Sequence, residues 1–309
     1  MTNMSTIEDI QYSGSDGDAD KSGHLLDLYL PEATEPVPVV IWTMGSGFTA
    51  PAGRIAGDIF ARQFGPHGYA VAAVAVRGSG QAQFPAQQDD TLDAVSFLRR
   101  NAATYGLDAG RFAYVGHSSG GWSAAVAGTQ GSGDSAVQAA IALSSPTDIG
   151  NMDRQALPDA AHRLAVRGPD GGAGLNSFDG RHEAAESPEG RLIGGRVSAH
   201  PGRAAAASPA LHVTPDGPPF LIVHGTEDEY VPFAQGTTLY TALQAAGRDV
   251  TFVTLSGGNH LDAIPPWNLG AAQSATRAHS RNGEPPVITP VIGDGWSVLV
   301  DFVNAHLRA

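Results

Sequence analysis

Apolar residues in this chain gather into short, nearly unbroken runs, each followed by a polar or glycine-containing stretch. Such runs predict strands covered on both faces, because a strand with one wet face alternates instead. Val37–Thr43 is one of them, and its proline stands near the start, where a missing N–H matters least. Tyr69–Val76, Arg111–Val115, Val137–Leu143, Phe220–Val223 and Val250–Leu255 predict further strands. Between them, Thr91–Arg100 predicts a helix, with Asp89 or Asp90 as its cap and Leu92, Val95 and Leu98 on one face. Gln235–Ala246 predicts another, closed by Gly247, and Ser297–Leu307 a last one. Alternation of this kind implies a mostly parallel sheet with right-handed crossovers and helices on both faces, an α/β architecture. Ile7–Tyr12 and Leu25–Leu30 read as an antiparallel opening pair.

Two segments break the alternation. Residues 150–190 carry Gly171-Gly172-Ala173-Gly174 and little periodicity, and residues 263–293 include Ile264-Pro265-Pro266-Trp267 and Pro285-Pro286. Excursions this long are uncommon in compact domains and frequently functional, so each is expected to be a lid, a pocket wall or decoration. No internal repeat is present.

Composition narrows the class. At 309 residues, one α/β domain spanning 1–309 is expected. Hydrophobic content of 42% with 16% charged residues supports a large core. A net charge of −13 disfavours nucleic acid and anionic membranes as partners, and serves solubility. The absence of cysteine removes disulfides, thiolate nucleophiles and Cys-ligated metals. No signal-peptide pattern opens the chain and no apolar run approaches ~20 residues, which predicts a cytoplasmic protein. An exposed sheet edge would be compatible with a homodimer.

The candidate chemistry centres on Gly116-His117-Ser118-Ser119-Gly120, a G-x-S-x-G motif. It stands between a strand-like run and the helix-compatible Gly121–Ala127, which is expected to stop at Gly128. On that turn Ser118 would rise above the strand ends as a nucleophile, relieved of crowding by glycines two residues away on each side. A serine hydroxyl needs a base, and the base an orienting acid. Asp228 follows the strand Phe220–Val223 in a loop, with Glu227 and Glu229 as competing acids. Of the three histidines that follow, His260 sits in a Gly-rich loop beyond a strand, which favours it over His279 and His306 as base. His224 could brace the loop carrying Asp228. Small residues in Met44-Gly45-Ser46-Gly47-Phe48 suit backbone N–H groups that approach a developing oxyanion, together with the N–H of Ser119.

With these pieces placed, the chain resembles the α/β-hydrolase superfamily, and within it the hormone-sensitive-lipase-like and BD-FAE (feruloyl/acetyl-xylan esterase-like) esterases. The resemblance rests on Pro38–Phe48, on Phe84-Pro85-Ala86-Gln87, on Tyr105-Gly106-Leu107-Asp108, on Ser187–Gly195 and on Pro218–Gly225, and covers residues 7–262. It implies an α/β-hydrolase fold and a cofactor-free, metal-free carboxylesterase acting on small-molecule esters of short-chain or aromatic acids. The family roles would fall on Ser118 as nucleophile, Asp228 as acid and His260 as base. The N–H groups of Gly45, Ser46 and Ser119 would be oxyanion donors. Met44 and Ser46 replace the His and middle Gly of the family's oxyanion loop. Met44, Phe48 and Trp267 are expected at the pocket, Trp267 as part of a wall formed by the second excursion. An amide hydrolase of the same fold (arylformamidase-like, or a small peptidase) would carry the same triad. A non-catalytic binding protein on this scaffold would not need it.

Overall fold

The computed structural model describes residues 4–14, 20–167, 180–267 and 274–308. Within them one sheet contains β1 (Met4–Gln11), β2 (Leu25–Pro31), β3 (Val37–Thr43), β4 (Ala70–Val74), β5 (Leu107–His117), β6 (Ala139–Leu143), β7 (Phe220–Gly225), β8 (Val250–Ser256), β9 (Ser274–Ser280) and β10 (Val287–Pro290). Their spatial order is β1-β2-β4-β3-β5-β6-β7-β8-β9-β10. The central strands from β4 to β8 run parallel, and antiparallel strands flank them at both ends.

The two-residue period of each central strand splits its side chains between two cores. Val40 and Trp42 of β3 join Phe60 and Phe64 of the helix Gly57–Phe64 and Leu299 and Val303 of the helix Gly295–Leu307. Val39 and Ile41 join Val95 and Leu98 of the helix Ala86–Arg100 and Ala124 and Ala127 of the helix Ser119–Gln130. Both faces of the sheet are therefore covered, as the unbroken apolar runs require.

Three expectations change. The helix expected from Thr91 begins at Ala86, and Asp90 is no cap. It lies inside the helix, buried, where both carboxylate oxygens accept from the Arg77 guanidinium and Oδ1 is 3.1 Å from His24 Nε2. The helix expected to end at Gly128 continues to Gln130. Much of the 263–293 excursion is not irregular, because β9 and β10 extend the sheet as antiparallel strands beyond β8. The run Gly171–Gly174 lies outside the described residues. Among the described residues no helix is long and apolar enough to cross a membrane.

Candidate active site

Ser118 stands between the end of β5 and the first residue of the helix Ser119–Gln130, with φ 58° and ψ −126°. That backbone conformation is strained for a residue with a side chain. Close packing explains the two motif glycines. A Cβ on Gly116 would lie 2.0 Å from the carbonyl oxygen of Gly120, and a Cβ on Gly120 2.0 Å from that of Thr43. The Ser118 N–H donates to Leu143 O on β6 at 2.9 Å, which ties the turn to the neighbouring strand.

Asp228 lies in the loop after β7 and is 1% exposed. Its Oδ1 accepts from the backbone N–H groups of Tyr230 (2.9 Å) and Val231 (2.8 Å). Its Oδ2 lies 2.8 Å from His260 Nδ1. His224, at the end of β7, places Nε2 2.9 Å from Val231 O and 3.3 Å from Asp228 Oδ2, so it braces this loop. Burial works to raise the Asp228 carboxyl, but His260 and His224 outweigh it and hold the group well below the usual carboxylate range. Glu227 pairs with Arg163 instead, at a solvent-exposed position.

His260, in the loop after β8, is 2% exposed. Its Nε2 is buried and has no hydrogen-bond partner among the described residues, so the final link to the Ser118 hydroxyl is not made in this conformation. The ring nevertheless lies against residues that flank the nucleophile. It is 4.6 Å from the ring of His117, the residue before Ser118, and 5.2 Å from Tyr230, which shares a cleft with Ser118. His117 Nε2 lies 2.9 Å from the carbonyl oxygen of His260. Burial above all, and then the neighbouring His260, lower the His117 pKa to about 3. The ring is thus neutral, and Nε2–H is the donor to that carbonyl.

In the Met44–Phe48 loop, Gly45 packs on the nucleophile. A Cβ there would meet Ser118 Cβ at 2.4 Å. The Ser46 N–H, expected to face an oxyanion, donates to Ser119 Oγ at 2.9 Å and is engaged within the protein. Gly47, absent from the sequence-derived donors, lines the cleft beside Ser118 and Ser119.

This cleft is walled by Phe48, Pro146, Pro188, Glu189, Tyr230 and Val231. Phe48 is where the sequence places it. Met44 and Trp267 are not. Met44 lines a second cavity behind the loop and packs against the core. Trp267 belongs to the core cluster of Phe60, Trp296 and Leu299, donates its indole N–H to Ala263 O at 3.2 Å, and is 6% exposed. An indole needs about 150–250 Å² of cover, and the helix Gly295–Leu307 supplies it. Pro188, Glu189 and Tyr230 were missed as wall residues. Their motifs stand in the sequence, but nothing local indicates that they face Ser118.

A strained serine elbow on a mostly parallel sheet flanked by helices, with an Asp–His pair carried on the loops after β7 and β8, defines an α/β-hydrolase fold. The chain belongs to the BD-FAE family, whose sequence profile matches residues 26–243. It is 26% identical over 248 residues to Esterase LipC of Mycobacterium tuberculosis, covering 78% of this chain and 57% of LipC. It is 25% identical over 295 residues to the probable isoprenylcysteine alpha-carbonyl methylesterase ICMEL1 of Arabidopsis thaliana, covering 92% of this chain and 57% of that protein. The chain thus spans a little over half the length of these curated relatives. A solved structure, described as a truncated form of carbohydrate esterase from gut microbiota, superposes with a TM-score of 0.72 at 24% identity, over 99% of this chain and 97% of that one.

Proposed function

We propose that this protein is a serine carboxylesterase that works through an acyl-enzyme. The observation that carries the reading is the buried Asp228–His260 pair, packed against His117 next to Ser118, whose imidazole keeps an Nε2 with no partner among the described residues. Catalytic hydrogen bonds are often long or open without substrate and tighten when it binds. In the proposed cycle His260 Nε2 takes the Ser118 proton as Oγ attacks the ester carbonyl. Asp228 holds Nδ1–H and stabilises the imidazolium, which then protonates the departing alcohol. Water repeats the sequence to release the acid. The oxyanion would rest on the N–H of Ser119, at the positive end of its helix, and on the loop N–H at Gly47.

The wild-type enzyme is expected to hydrolyse p-nitrophenyl acetate and to be labelled by a fluorophosphonate probe. Ser118→Ala should lose both. Labelling that persists in Ser118→Ala would place the nucleophile elsewhere. Faster turnover of N-formylkynurenine than of the ester would make the enzyme an amidase.

A further inference from the structure

The turn that carries the Gly47 N–H is built around Ser46. Ser46 O accepts from the Thr49 N–H at 3.2 Å and from Thr49 Oγ1 at 2.7 Å. Ser46 Oγ donates to Ala50 O at 2.6 Å. The two residues inside the turn, Gly47 (φ 58°) and Phe48 (φ 60°), both lie in the left-handed region, which is strained for phenylalanine. Such a conformation persists only where its surroundings hold it. Phe48 is anchored by its ring, edge-on to Trp122 at 5.5 Å, and by its carbonyl, which accepts from the Ser79 N–H. The start of the turn is anchored by a buried bond from the Ser46 N–H to Ser119 Oγ at 2.9 Å. Among the described residues this is the one hydrogen bond between the turn and the helix Ser119–Gln130. The next amide along the chain, Gly47 N–H, has no acceptor among the described residues, and Gly47 lines the cleft with Ser118.

We propose that Ser119 is, through its side chain, a positioning residue for the oxyanion hole: its hydroxyl oxygen holds the Ser46 N–H, so that the Gly47 N–H is the one left to the oxyanion. This rests on the esterase reading and adds a residue to it. The main chain of Ser119 supplies one proposed donor, and its side chain fixes the peptide that precedes the other. Both donors are thereby set by the residue that follows the nucleophile. A donor aimed in advance needs no reorganisation when charge develops. The helix itself does not ask for this hydroxyl. Ser119 Oγ bonds to no group of its own helix among the described residues, and alanine is the better helix former. With alanine at 119 the Ser46 N–H would be buried without a partner, which is costly. A peptide that rotates to recover a partner would carry the Gly47 N–H out of line.

The test reads chemistry and binding separately. Ser119→Ala keeps its backbone N–H and loses only the acceptor. Losing an oxyanion donor outright costs about 10²–10³ in rate, and a misaimed one is expected to lower kcat on p-nitrophenyl acetate about 10–100-fold, counted per active site titrated with a fluorophosphonate. KM should stay within about twofold, because the interaction is made in the transition state and not with bound substrate. The pH profile of kcat should keep its shape, since Asp228 and His260 are untouched. A role confined to packing would reduce the number of titrated sites and leave kcat per site unchanged, and that result overturns the proposal. So does a raised KM with kcat intact. A second measurement needs no variant. When the fluorophosphonate occupies Ser118 of the wild-type protein, its phosphoryl oxygen stands where the oxyanion would. The amide proton resonances of Ser119 and Gly47 should then move downfield while that of Ser46 stays in place. A downfield shift at Ser46, or none at Gly47, overturns the assignment. Failure of the esterase reading looks different: the wild-type protein would neither turn over p-nitrophenyl acetate nor be labelled at Ser118.

Discussion

The Asp228 carboxylate is held by more groups than any single role would need. Two backbone N–H groups and two imidazoles surround it at 1% exposure, and His260 Nδ1 is the one nearest its Oδ2. Asp228→Asn preserves the shape but removes the charge that fixes Nδ1–H and stabilises an imidazolium. Its kcat on p-nitrophenyl acetate is expected to fall about 10³–10⁴-fold. Circular dichroism of the variant would separate this from unfolding, and a fall of less than tenfold would remove Asp228 from the reaction. Ser118 was legible in the sequence because its glycines answer a local crowding problem. The choice of Asp228 over Glu227 and Glu229 came from the family resemblance and not from the pattern itself, since three consecutive carboxylates look alike until the backbone turns them. Asp228 is the one whose carboxylate meets His260, while Glu227 turns outward to Arg163. Glu189 was illegible for the opposite reason. Its motif was plain, but its nearness to Ser118 exists only once the 180–195 segment has folded across the sheet.

At the scale of elements, the central strands were readable because burial on both faces demands unbroken apolar sequence. Val37–Thr43 and the run around Val250–Leu255 fold almost where the pattern places them. β9 was not readable. Ser-Ala-Thr-Arg-Ala-His-Ser carries little hydrophobic signal, and it pairs because the free edge of β8 offers it a ladder from Val250 to Ser256. β10 then adds to β9 with all four of its residues exposed. The same extension explains Trp267. The chain running toward β9 tucks the indole under the helix Gly295–Leu307, where a Cβ on Gly295 would meet its Cε2 at 2.4 Å. Trp267→Ala should therefore act on stability. Truncating a buried Trp costs about 3–5 kcal/mol, so the midpoint of chemical denaturation should fall clearly. The relative kcat/KM values across acetate, butyrate and hexanoate esters should stay as in wild type. A changed acyl preference without lost stability would return Trp267 to the pocket.

Over the whole molecule, three buried groups set opposing pH dependences. Burial disfavours charge on His182, but the Glu189 carboxylate 2.9 Å from its Nδ1 outweighs this. His182 thus has a folded-state pKa above its unfolded value, so its contribution is complete below about pH 6.5 and is lost as pH rises through the folded value. Asp228 is depressed, and its contribution is present above about pH 4 and is lost as pH falls further. His117 is depressed to about 3. Between about pH 6.5 and 3 the unfolded chain binds a proton at this position that the folded chain refuses, so stability drops as the solution is acidified. The interval from 6.5 to 4.5 isolates His117 from Asp228, which titrates lower, and from His182, whose effect lies higher. His117→Gln keeps a side-chain N–H able to reach the His260 carbonyl but cannot titrate. Urea denaturation at pH 6.5 and 4.5 should show wild type losing about 2 kcal/mol more than the variant over that interval, at 1.36 kcal/mol per pH unit as the upper slope for one proton. Equal losses would mean that the imidazole beside Ser118 is protonated in the folded state. His117 could then not be the neutral donor that holds the His260 backbone in place.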